Sequence, residues 1–379
     1  MATENNNKTL NVPNLRFPEF SGEWEQYRLG DLVEIRSGVS PSGVVEDIGE
    51  FPFYKVEQLN NCHIKLGATP YWTKQSAIPA DSIVFPKRGA AIMTNKIRIS
   101  TQPCQIDTNL MALTVVNNEK FDFKFIYHFI DRCNLSKIAD TSTIPQINNI
   151  HINPLKIRIP SFDEQKKIST LFTILDERIA TQIKVIEDLK KLKSAISIHL
   201  FESNDCERVK LSDIATVQMG QSPSSQSYNE EERGLPLIQG NLDLQDGRLT
   251  PRVYTSEITQ QCGAGDVILT VRAPVGEIAI TKFNACIGRG VCAIRPKRNA
   301  DTMLIYQYLQ YYKPKWASLE QGSTFTSVGG ADIRSIHVNM PSPRAIKLLE
   351  VLEHKVTVEQ NTLSILVKQK QYLLAQLFI

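Results

Sequence analysis

A chain of 379 residues is longer than one ordinary hydrophobic core, so it should divide into two or more domains. Hydrophobic residues make up 42% and charged residues 22%, with a mean hydropathy of -0.21, which excludes a disordered chain and a fibrous protein. The net charge of +3 at pH 7 is too small to indicate a partner unless the basic residues are clustered.

The sequence also bears on location. No apolar run approaches the roughly 20 residues that a membrane-spanning helix needs, and the polar, asparagine-rich segment Met1–Leu10 does not resemble a secretory signal. We therefore expect a cytoplasmic protein without a membrane partner. The seven cysteines contain no C-x-x-C pair, so we expect reduced thiols, with neither a disulfide framework nor a zinc site.

An internal repeat organises the chain. Leu29–Gly38 followed by Pro41 resembles Leu211–Gly220 followed by Pro223, at a constant offset of 182 residues. This pattern predicts two tandem domains with a shared scaffold. Their boundaries follow from the repeat, and we predict an N-terminal segment at 1–22, a first repeat at 23–160 and a second repeat at 204–341.

The ends of the two repeats match as well. Thr143–Pro160 parallels Thr324–Pro341 at an offset of 181, and each segment closes with alternating apolar residues before a proline. That period of two predicts a final strand. Inside the repeats, strand-like runs broken by Gly, Pro and Asn alternate with short helical stretches, which favours a mixed α/β fold with twisted β-sheets.

A long helix is predicted after each repeat, at 161–203 and 342–379. Counted at alternating spacings of four and three from Ile168 and from Ala345, eight of ten positions are apolar in each segment, as in a coiled-coil seam. The predicted seam positions are Ile168, Phe172, Leu175, Ile179, Ile186 and Leu189 in one segment, and Leu349, Leu352, Val356, Leu363 and Leu366 in the other.

The simplest partner for each helix is its own copy. If a pseudo-twofold axis relates the repeats, the two helices must run antiparallel, and the resulting coiled coil would separate the domains as a spacer. The alternative is that each helix packs only on its own domain.

No catalytic or metal motif is evident. A Walker A loop and an H-E-x-x-H motif are absent, and the histidines have no metal-ligand spacing. The segment Asn153–Lys156 is the nearest match to the Asn-Pro-Pro-aromatic motif of adenine methyltransferases, but it lacks the second proline and the aromatic ring. The sequence therefore favours a recognition protein without a catalytic site, metal or cofactor of its own.

Basic residues cluster at corresponding places in the two repeats. Ser82–Asn109 contains a single acidic residue, Asp107, and Val267–Asn299 contains only Glu277. Such stretches are typical of surfaces that neutralise DNA phosphates, although a solvated surface without a partner is an alternative. The basic candidates are Lys87, Arg88, Lys96 and Arg98 in the first repeat, and Arg272, Lys282 and Arg289, with Arg295, Lys297 and Arg298, in the second.

Amide side chains in loops are candidates for reading bases, because Asn and Gln pair with adenine as Arg and Lys pair with guanine. Each one could instead be a turn or capping residue. The amide candidates are Asn95, Gln146 and Asn148 in the first repeat and Gln239 and Asn241 in the second, within a wider set of loop residues that includes Asn61, Ser323 and Thr324.

Three segments carry a resemblance to a known family. Val12–Trp24, the border Leu29–Leu32 leading to Ser37-Gly38, and Ile159–Ile168 are similar to type I restriction–modification DNA-specificity subunits, and the tandem layout extends the resemblance over essentially the full length. The second copy departs from the pattern, with Pro341–Ile346 where the first copy has Pro160–Gln165.

The resemblance implies a non-catalytic host-defence protein. Its two target-recognition domains would each read one part of a split, asymmetric double-stranded DNA sequence, and two long conserved helices would set the gap between the parts. It also implies two modification subunits that bind S-adenosylmethionine, and restriction subunits that use ATP and Mg.

Two other readings remain open. One is an interaction scaffold whose domains bind ligands other than DNA, which salt-sensitive duplex binding would distinguish. The other is a specificity half of a fused methyltransferase–nuclease, for which the catalytic motifs would lie on another segment.

Overall fold

The computed structural model describes residues 11–60, 64–203, 206–245, 247–297, 300–318 and 327–379. The chain forms two compact units, one made of Met1–Lys184 with Asn361–Ile379 and the other of Val185–Gln360. We call them unit 1 and unit 2. Unit 1 contains the first repeat and unit 2 contains nearly all of the second.

The first repeat consists of eight short strands, then three short helices and a final strand. The strands are β1 (Glu25–Arg28), β2 (Val33–Ser37), β3 (Phe51–Tyr54), β4 (Trp72–Thr73), β5 (Ile83–Pro86), β6 (Arg98–Ile99), β7 (Gln105–Ile106), β8 (Leu110–Val115) and β9 (Lys156–Ile159). The helices are α1 (Phe123–Cys133), α2 (Leu135–Ile138) and α3 (Asn149–Ile152).

Two small sheets form the first repeat. One has the strand order β2-β8-β5-β6 and the other β4-β3-β7, while β1 and β9 form a separate antiparallel pair at the ends of the repeat. The buried strand β5 consists entirely of apolar residues and proline, as expected for a central strand covered on both faces. Asp122 caps α1 by accepting a hydrogen bond from the Phe125 amide at 2.8 Å.

A helix of 40 residues, α4 (Phe162–Phe201), follows the first repeat. The second repeat then contains α5 (Leu211–Ile214), α6 (Thr302–Tyr312) and α7 (Gly330–Ser335), and the chain continues into the 35-residue helix α8 (Pro343–Leu377). The strands of the second repeat are β10 (Arg208–Lys210), β11 (Ala215–Met219), β12 (Tyr228–Asn229), β13 (Leu235–Ile238), β14 (Leu244–Gln245), β15 (Arg248–Leu249), β16 (Val253–Thr255), β17 (Gln261–Cys262), β18 (Val267–Thr270), β19 (Ile278–Ile280), β20 (Ala285–Ile287), β21 (Val291–Pro296) and β22 (His337–Asn339).

The sheets of the second repeat follow the topology of the first. The order β11-β21-β18-β19 matches β2-β8-β5-β6, and β10 pairs antiparallel with β22 as β1 pairs with β9. A larger sheet, β12-β16-β13-β20-β17, contains the parallel pair β13 and β20, which corresponds to β3 and β7. The prediction of two tandem α/β repeats is therefore confirmed.

Two glycines at equivalent positions let neighbouring loops approach closely. A Cβ added at Gly38 would lie 2.0 Å from the Asp107 carbonyl oxygen, and one at Gly220 would lie 2.1 Å from the Gly288 carbonyl oxygen. Real Cβ atoms do not come this near to a backbone oxygen. Packing therefore requires glycine at the end of each repeated segment, Leu29–Gly38 and Leu211–Gly220.

The two long helices pair within each unit. In unit 1, Asp176 Oδ1 of α4 lies 2.7 Å from Lys370 Nζ of α8; in unit 2, Lys193 of α4 pairs with Glu353 of α8. Early residues of α4 thus meet late residues of α8, and late residues of α4 meet early residues of α8. This order confirms the predicted antiparallel pair and rules out helices that each pack on one domain alone.

Each unit draws part of its core from both helices. The core of unit 1 includes Ile168, Phe172 and Leu175 of α4 together with Leu374, Leu377 and Phe378 from the end of the chain. The core of unit 2 includes Phe201 of α4 together with Ile346 and Leu349 of α8. Among the eleven seam positions, Leu189, Leu352 and Leu363 are half-buried and the others are buried.

The segment that precedes the first repeat packs within unit 1. The Leu15 amide donates to the Gln376 carbonyl at 3.0 Å, and Arg16 forms a bidentate pair with Glu164 near the start of α4, at 2.8 and 2.7 Å. Because Glu164 is only 1% exposed, the guanidinium compensates a carboxylate that would otherwise be buried alone. The first turn of α8 contains no acidic residue, so this clamp has no counterpart there.

Candidate nucleic-acid interface

In the first repeat, four of the predicted residues come together beyond the end of β5. Lys87 and Arg88 follow this strand directly, and Arg88 forms an isolated antiparallel bridge with Gln146. The Ile147 amide donates to the Lys87 carbonyl at 2.8 Å, which brings Asn148 to the same loop cluster. Arg88 and Asn148 are exposed, while Lys87 and Gln146 are half-buried.

In the second repeat, four predicted residues line one open cavity of about 610 Å³: Gln239, Asn241, Arg272 and Arg289. Gln239 follows β13, Asn241 opens a 3-10 turn, Arg272 lies beyond the end of β18, and Arg289 precedes β21. Both arginines are exposed and the two amides are half-buried.

The two clusters share one equivalent position, that of Arg88 and Arg272. Arg272 forms an isolated antiparallel bridge with Ser327, as Arg88 does with Gln146. We call this part of each repeat its arginine edge, defined by Lys87, Arg88, Gln146 and Asn148 in the first repeat and, separately, by Gln239, Asn241, Arg272 and Arg289 in the second. One scaffold therefore presents different side chains at the same place in each repeat.

The positive charge of the arginines at the arginine edge is not neutralised by described carboxylates of the protein. Among the described residues, Arg88, Arg272 and Arg289 have no carboxylate partner, whereas elsewhere in the second repeat Arg295 forms two hydrogen bonds to Asp266 at 2.9 and 2.8 Å. Those bonds raise the pKa of Arg295 and occupy its guanidinium. The unpaired guanidiniums of the edge remain free to bind an external anion or a base edge.

Three residues predicted from the first repeat have structural roles instead. Asn95 has a φ of 47°, a left-handed conformation that asparagine tolerates, and its side-chain amide donates to Asp131 and accepts from the Leu135 amide. Arg98 is only 9% exposed, and its guanidinium donates to the carbonyls of Ile97 and Leu59. Both residues therefore leave the candidate interface.

The third, Lys96, follows Asn95 directly and is hydrogen-bonded to Asn60. In the second repeat, Lys282 lies apart from the arginine edge. The amide of its neighbour Thr281 donates to the Asp266 carbonyl, which places Lys282 near the start of β18. Arg272 lies beyond the other end of this strand. Four residues of strand separate these ends by about 13 Å, so Lys282 cannot share the cavity of Arg272.

Several other predicted residues lie outside the part of the chain that the structure describes: Asn61, Arg298, Ser323 and Thr324. Sequence reasoning also missed Tyr228, which belongs to the site of the second repeat, and Lys55, which occupies the position of Gln239 in the first repeat. The Lys55 ammonium lies 3.5 Å from the centre of the Tyr71 ring, and Tyr228 lines the cavity of the second repeat. An alignment of β5 with β18 at an offset of 184 would have paired Lys55 with Gln239.

Within the described ranges, no group of three or more His, Cys, Asp or Glu residues is arranged to hold a metal ion. In the same part of the chain, no helix combines the length and the apolarity that a bilayer crossing requires.

Comparison with protein families gives a match over most of the chain. A family model described as type I restriction modification DNA specificity domain matches residues 21–191 and again residues 203–369. Two proteins of Methanocaldococcus jannaschii are similar. One, the provisionally named type I restriction enzyme MjaX specificity subunit, is 29% identical over 370 residues, 88% of this chain and 87% of the relative. The other, the type I restriction enzyme MjaIX specificity subunit, is 20% identical over 414 residues, 94% and 92%.

Solved structures show the same fold. The S subunit of a type I restriction–modification system from M. genitalium superposes with a TM-score of 0.64 at 17% identity, over 97% of this chain and 99% of that one. A chain from a structure on complex assembly and conformational transition of the type I R-M system gives a TM-score of 0.57 at 21% identity, over 93% and 96%.

Proposed function

Because the chain belongs to the type I restriction–modification DNA specificity family, we propose that it reads a split, asymmetric target in double-stranded DNA, one part with each repeat. Its family consists of specificity subunits, which are not the catalytic subunits of their enzymes. The recognition domains we assign are 23–160 and 204–341, with the connecting helices at 161–203 and 342–379.

The observation that carries this proposal is the arginine edge. Arg88 and Arg272 occupy equivalent positions beyond the ends of equivalent strands, and neither has a carboxylate partner among the described residues. Guanidiniums of this kind bind phosphates or guanine, and the amides Gln146 and Gln239 beside them suit adenine. A shared scaffold with different side chains at its edge is what reading two unlike half-sites requires.

The helix pair is proposed to set the gap between the half-sites. A helix of 40 residues is about 60 Å long, and two readers on one duplex face recognise sites separated by about a helical turn or a multiple of it. The antiparallel order of α4 and α8 within each unit supports this role, because a paired helix resists bending better than a single one.

Partner recruitment is proposed to use the outer face of α8. Val351, Val358, Ile365 and Tyr372 recur every seven residues on this helix, and each is between 40% and 66% exposed. An apolar stripe of this kind suits a partner helix. We infer that two modification subunits dock on the helix pair and that restriction subunits join them, with S-adenosylmethionine, ATP and Mg bound by those partners and the complex located in the cytoplasm.

Two measurements test the proposal. The protein purified with its modification subunits should bind one duplex sequence in preference to others, and this binding should weaken steeply with salt. Exchange of residues 22–160 with those of a relative should then change one half of the methylated sequence in cells and leave the other half intact.

The matched control exchanges residues 204–341 with those of a relative and should alter the other half of the methylated sequence. Methylation mapping in which either exchange altered both halves would contradict independent reading by the two repeats. Absence of salt-sensitive duplex binding would favour an interaction scaffold instead.

A further inference from the structure

Gln239 is the most tightly positioned side chain of the arginine edge. Its backbone amide donates to Asp243 Oδ2 at 2.8 Å, and its carbonyl oxygen lies so close to Gly290 that a Cβ there would be 2.1 Å away. On the side-chain side, a Cβ added at Gly288 would lie 3.4 Å from Gln239 Cγ. The hydrogen bond to Asp243 and the close approach of Gly290 thus fix the backbone of Gln239.

Tyr228 fixes the orientation of the Gln239 amide. The tyrosine hydroxyl donates its single proton to the Pro223 carbonyl at 3.3 Å, so its oxygen can only accept the hydrogen bond from Gln239 at 3.0 Å. The group facing Tyr228 must therefore be the amide nitrogen Nε2. Among the described residues, no donor bonds to Gln239 Oε1, which leaves one acceptor and one N–H of the amide uncommitted.

An oriented amide with one free acceptor and one free donor matches a particular base. Adenine presents N7 as an acceptor and N6 as a donor in the major groove, and a glutamine can bind both at once. Arg272 and Arg289, exposed on the same cavity, can neutralise the phosphates that approach with that base. The arrangement fits a purine edge entering the cavity of about 610 Å³.

The equivalent position of the first repeat carries different chemistry. The amides of Asp107 and Gly288 donate to Tyr54 and Ile238, which end β3 and β13, so the next residues, Lys55 and Gln239, correspond. An ammonium donates but cannot accept, which suits the two acceptors of guanine and not the donor and acceptor of adenine.

We propose that Gln239 reads an adenine in the half-site of the second repeat and that Tyr228 is its positioning residue. This inference rests on the proposed function and narrows it to one base and one side chain. Loss of a good bidentate contact of this type reduces discrimination by about 5- to 140-fold.

The test uses the protein purified with its modification subunits and a duplex that carries the methylated sequence mapped in cells. Each adenine of the second half-site is replaced in turn by 7-deazaadenine, which lacks the N7 acceptor. One replacement should weaken binding to the unaltered protein and should have no further effect on Q239A. Because the scan is performed on the unaltered protein first, it remains decisive if a variant fails to fold.

The variants supply the assignment. Q239A should accept any base pair at that one position, and Y228F should relax the same position by several-fold while the salt dependence of binding stays unchanged. The matched control is Q310A, since Gln310 on α6 also donates to a tyrosine hydroxyl, that of Tyr306, at 2.9 Å, but lies outside the arginine edge.

Several results would overturn the inference. They are a scan in which no 7-deazaadenine weakens binding, a Q239A protein with full discrimination at every position, or Q310A and Q239A with equal effects. Relaxation by Q239A but not by Y228F would remove the positioning role of Tyr228. The proposed function fails separately, if the unaltered complex shows no sequence preference and no salt dependence.

Discussion

The ammonium of Lys370 on α8 lies 2.7 Å from the carboxylate of Asp176 on α4. Lys370 also contacts Asp131 of α1 at 2.8 Å, so one lysine joins three helices of unit 1. Burial lowers the pKa of Lys370, but the two carboxylates outweigh burial and hold the pKa above its ordinary value. Burial also raises the pKa of Asp176, even against the nearby lysine.

The same pair occurs in unit 2 with the helices exchanged. At a constant offset of 177, Asp176 corresponds to Glu353 and Lys370 corresponds to Lys193, and Lys193 pairs with Glu353. The lysine thus comes from α8 in unit 1 and from α4 in unit 2. Polar pairs inside a helix interface specify register, because a shifted register leaves the charges unpaired.

Removing the two lysines should therefore have unequal effects. K370M leaves Asp176, whose side chain is 7% exposed, without its cation, and should lower the free energy of unfolding by about 3–5 kcal/mol. K193M leaves Glu353, whose side chain is 29% exposed, and should cost about 1 kcal/mol or less, because water can solvate that carboxylate. Urea unfolding of both variants measures the difference. A K193M protein as unstable as K370M would contradict this account of burial.

The stability of unit 1 should fall in mild acid because of His128. This histidine is buried, and burial, followed by the charges of Lys370 and Lys124, holds its pKa well below 6.5. The unfolded chain takes up a proton near pH 6.5 while the folded chain does not, so stability is present above that pH and declines below it, by up to about 1.4 kcal/mol per pH unit.

Gln307 occupies the equivalent position of α6 and suggests the matched variant. H128Q should flatten the dependence of the unfolding free energy on pH between 6.5 and 5, whatever its constant effect at pH 8. The measurement is urea unfolding at several pH values. An unchanged slope would show that a group other than His128 controls the acid response.

Close approach of loops at Gly220 predicts a further loss of stability. In G220A, the new Cβ would meet the Gly288 carbonyl at 2.1 Å, so the loops must separate, at a cost of about 1–3 kcal/mol. The control is G240A in the same repeat, where the backbone is extended and no atom lies within 4 Å of the new Cβ. Thermal unfolding compares the two, and equal midpoints would remove packing as the reason for glycine at position 220.

The spacer role predicts a change in target geometry. Insertion of seven residues after Lys184 in α4 and after Gln360 in α8 adds one heptad to both helices and keeps their seam in phase. Each helix lengthens by about 10 Å, which corresponds to about three base pairs, so the undefined gap of the methylated sequence should grow by that amount. Insertion into α4 alone should destabilise the pair. Methylation mapping that returned the original gap after the double insertion would exclude the spacer.

The repeat could be predicted from sequence because its borders are fixed by packing. At positions 38 and 220, the close approach of a neighbouring loop leaves room only for glycine. The alternating apolar residues before Pro160 form the strand β9, which pairs with β1. Such constraints leave a periodic or invariant trace in each copy, and the copies confirm one another.

The members of the candidate site were harder to predict, because residue type does not reveal which partner satisfies a side chain. Arg88 and Arg98 are both arginines in one basic stretch, but the carbonyls of Ile97 and Leu59 occupy only Arg98. Likewise, Asn95 was selected as an amide, whereas its backbone conformation and its bond to Asp131 make it a structural residue. These distinctions depend on contacts between distant residues, which a linear pattern does not contain.

The C-terminal part of α8 and the residues after it complete the core of unit 1, which contains the first repeat. Leu374, Leu377 and Phe378 belong to the core of unit 1, although all of unit 2, Val185–Gln360, separates them in sequence from the first repeat. A premature stop codon after residue 360 would therefore spare the neighbouring recognition domain and expose the hydrophobic interior of the one translated first. During synthesis, the core of unit 1 cannot close until Leu374, Leu377 and Phe378 have left the ribosome.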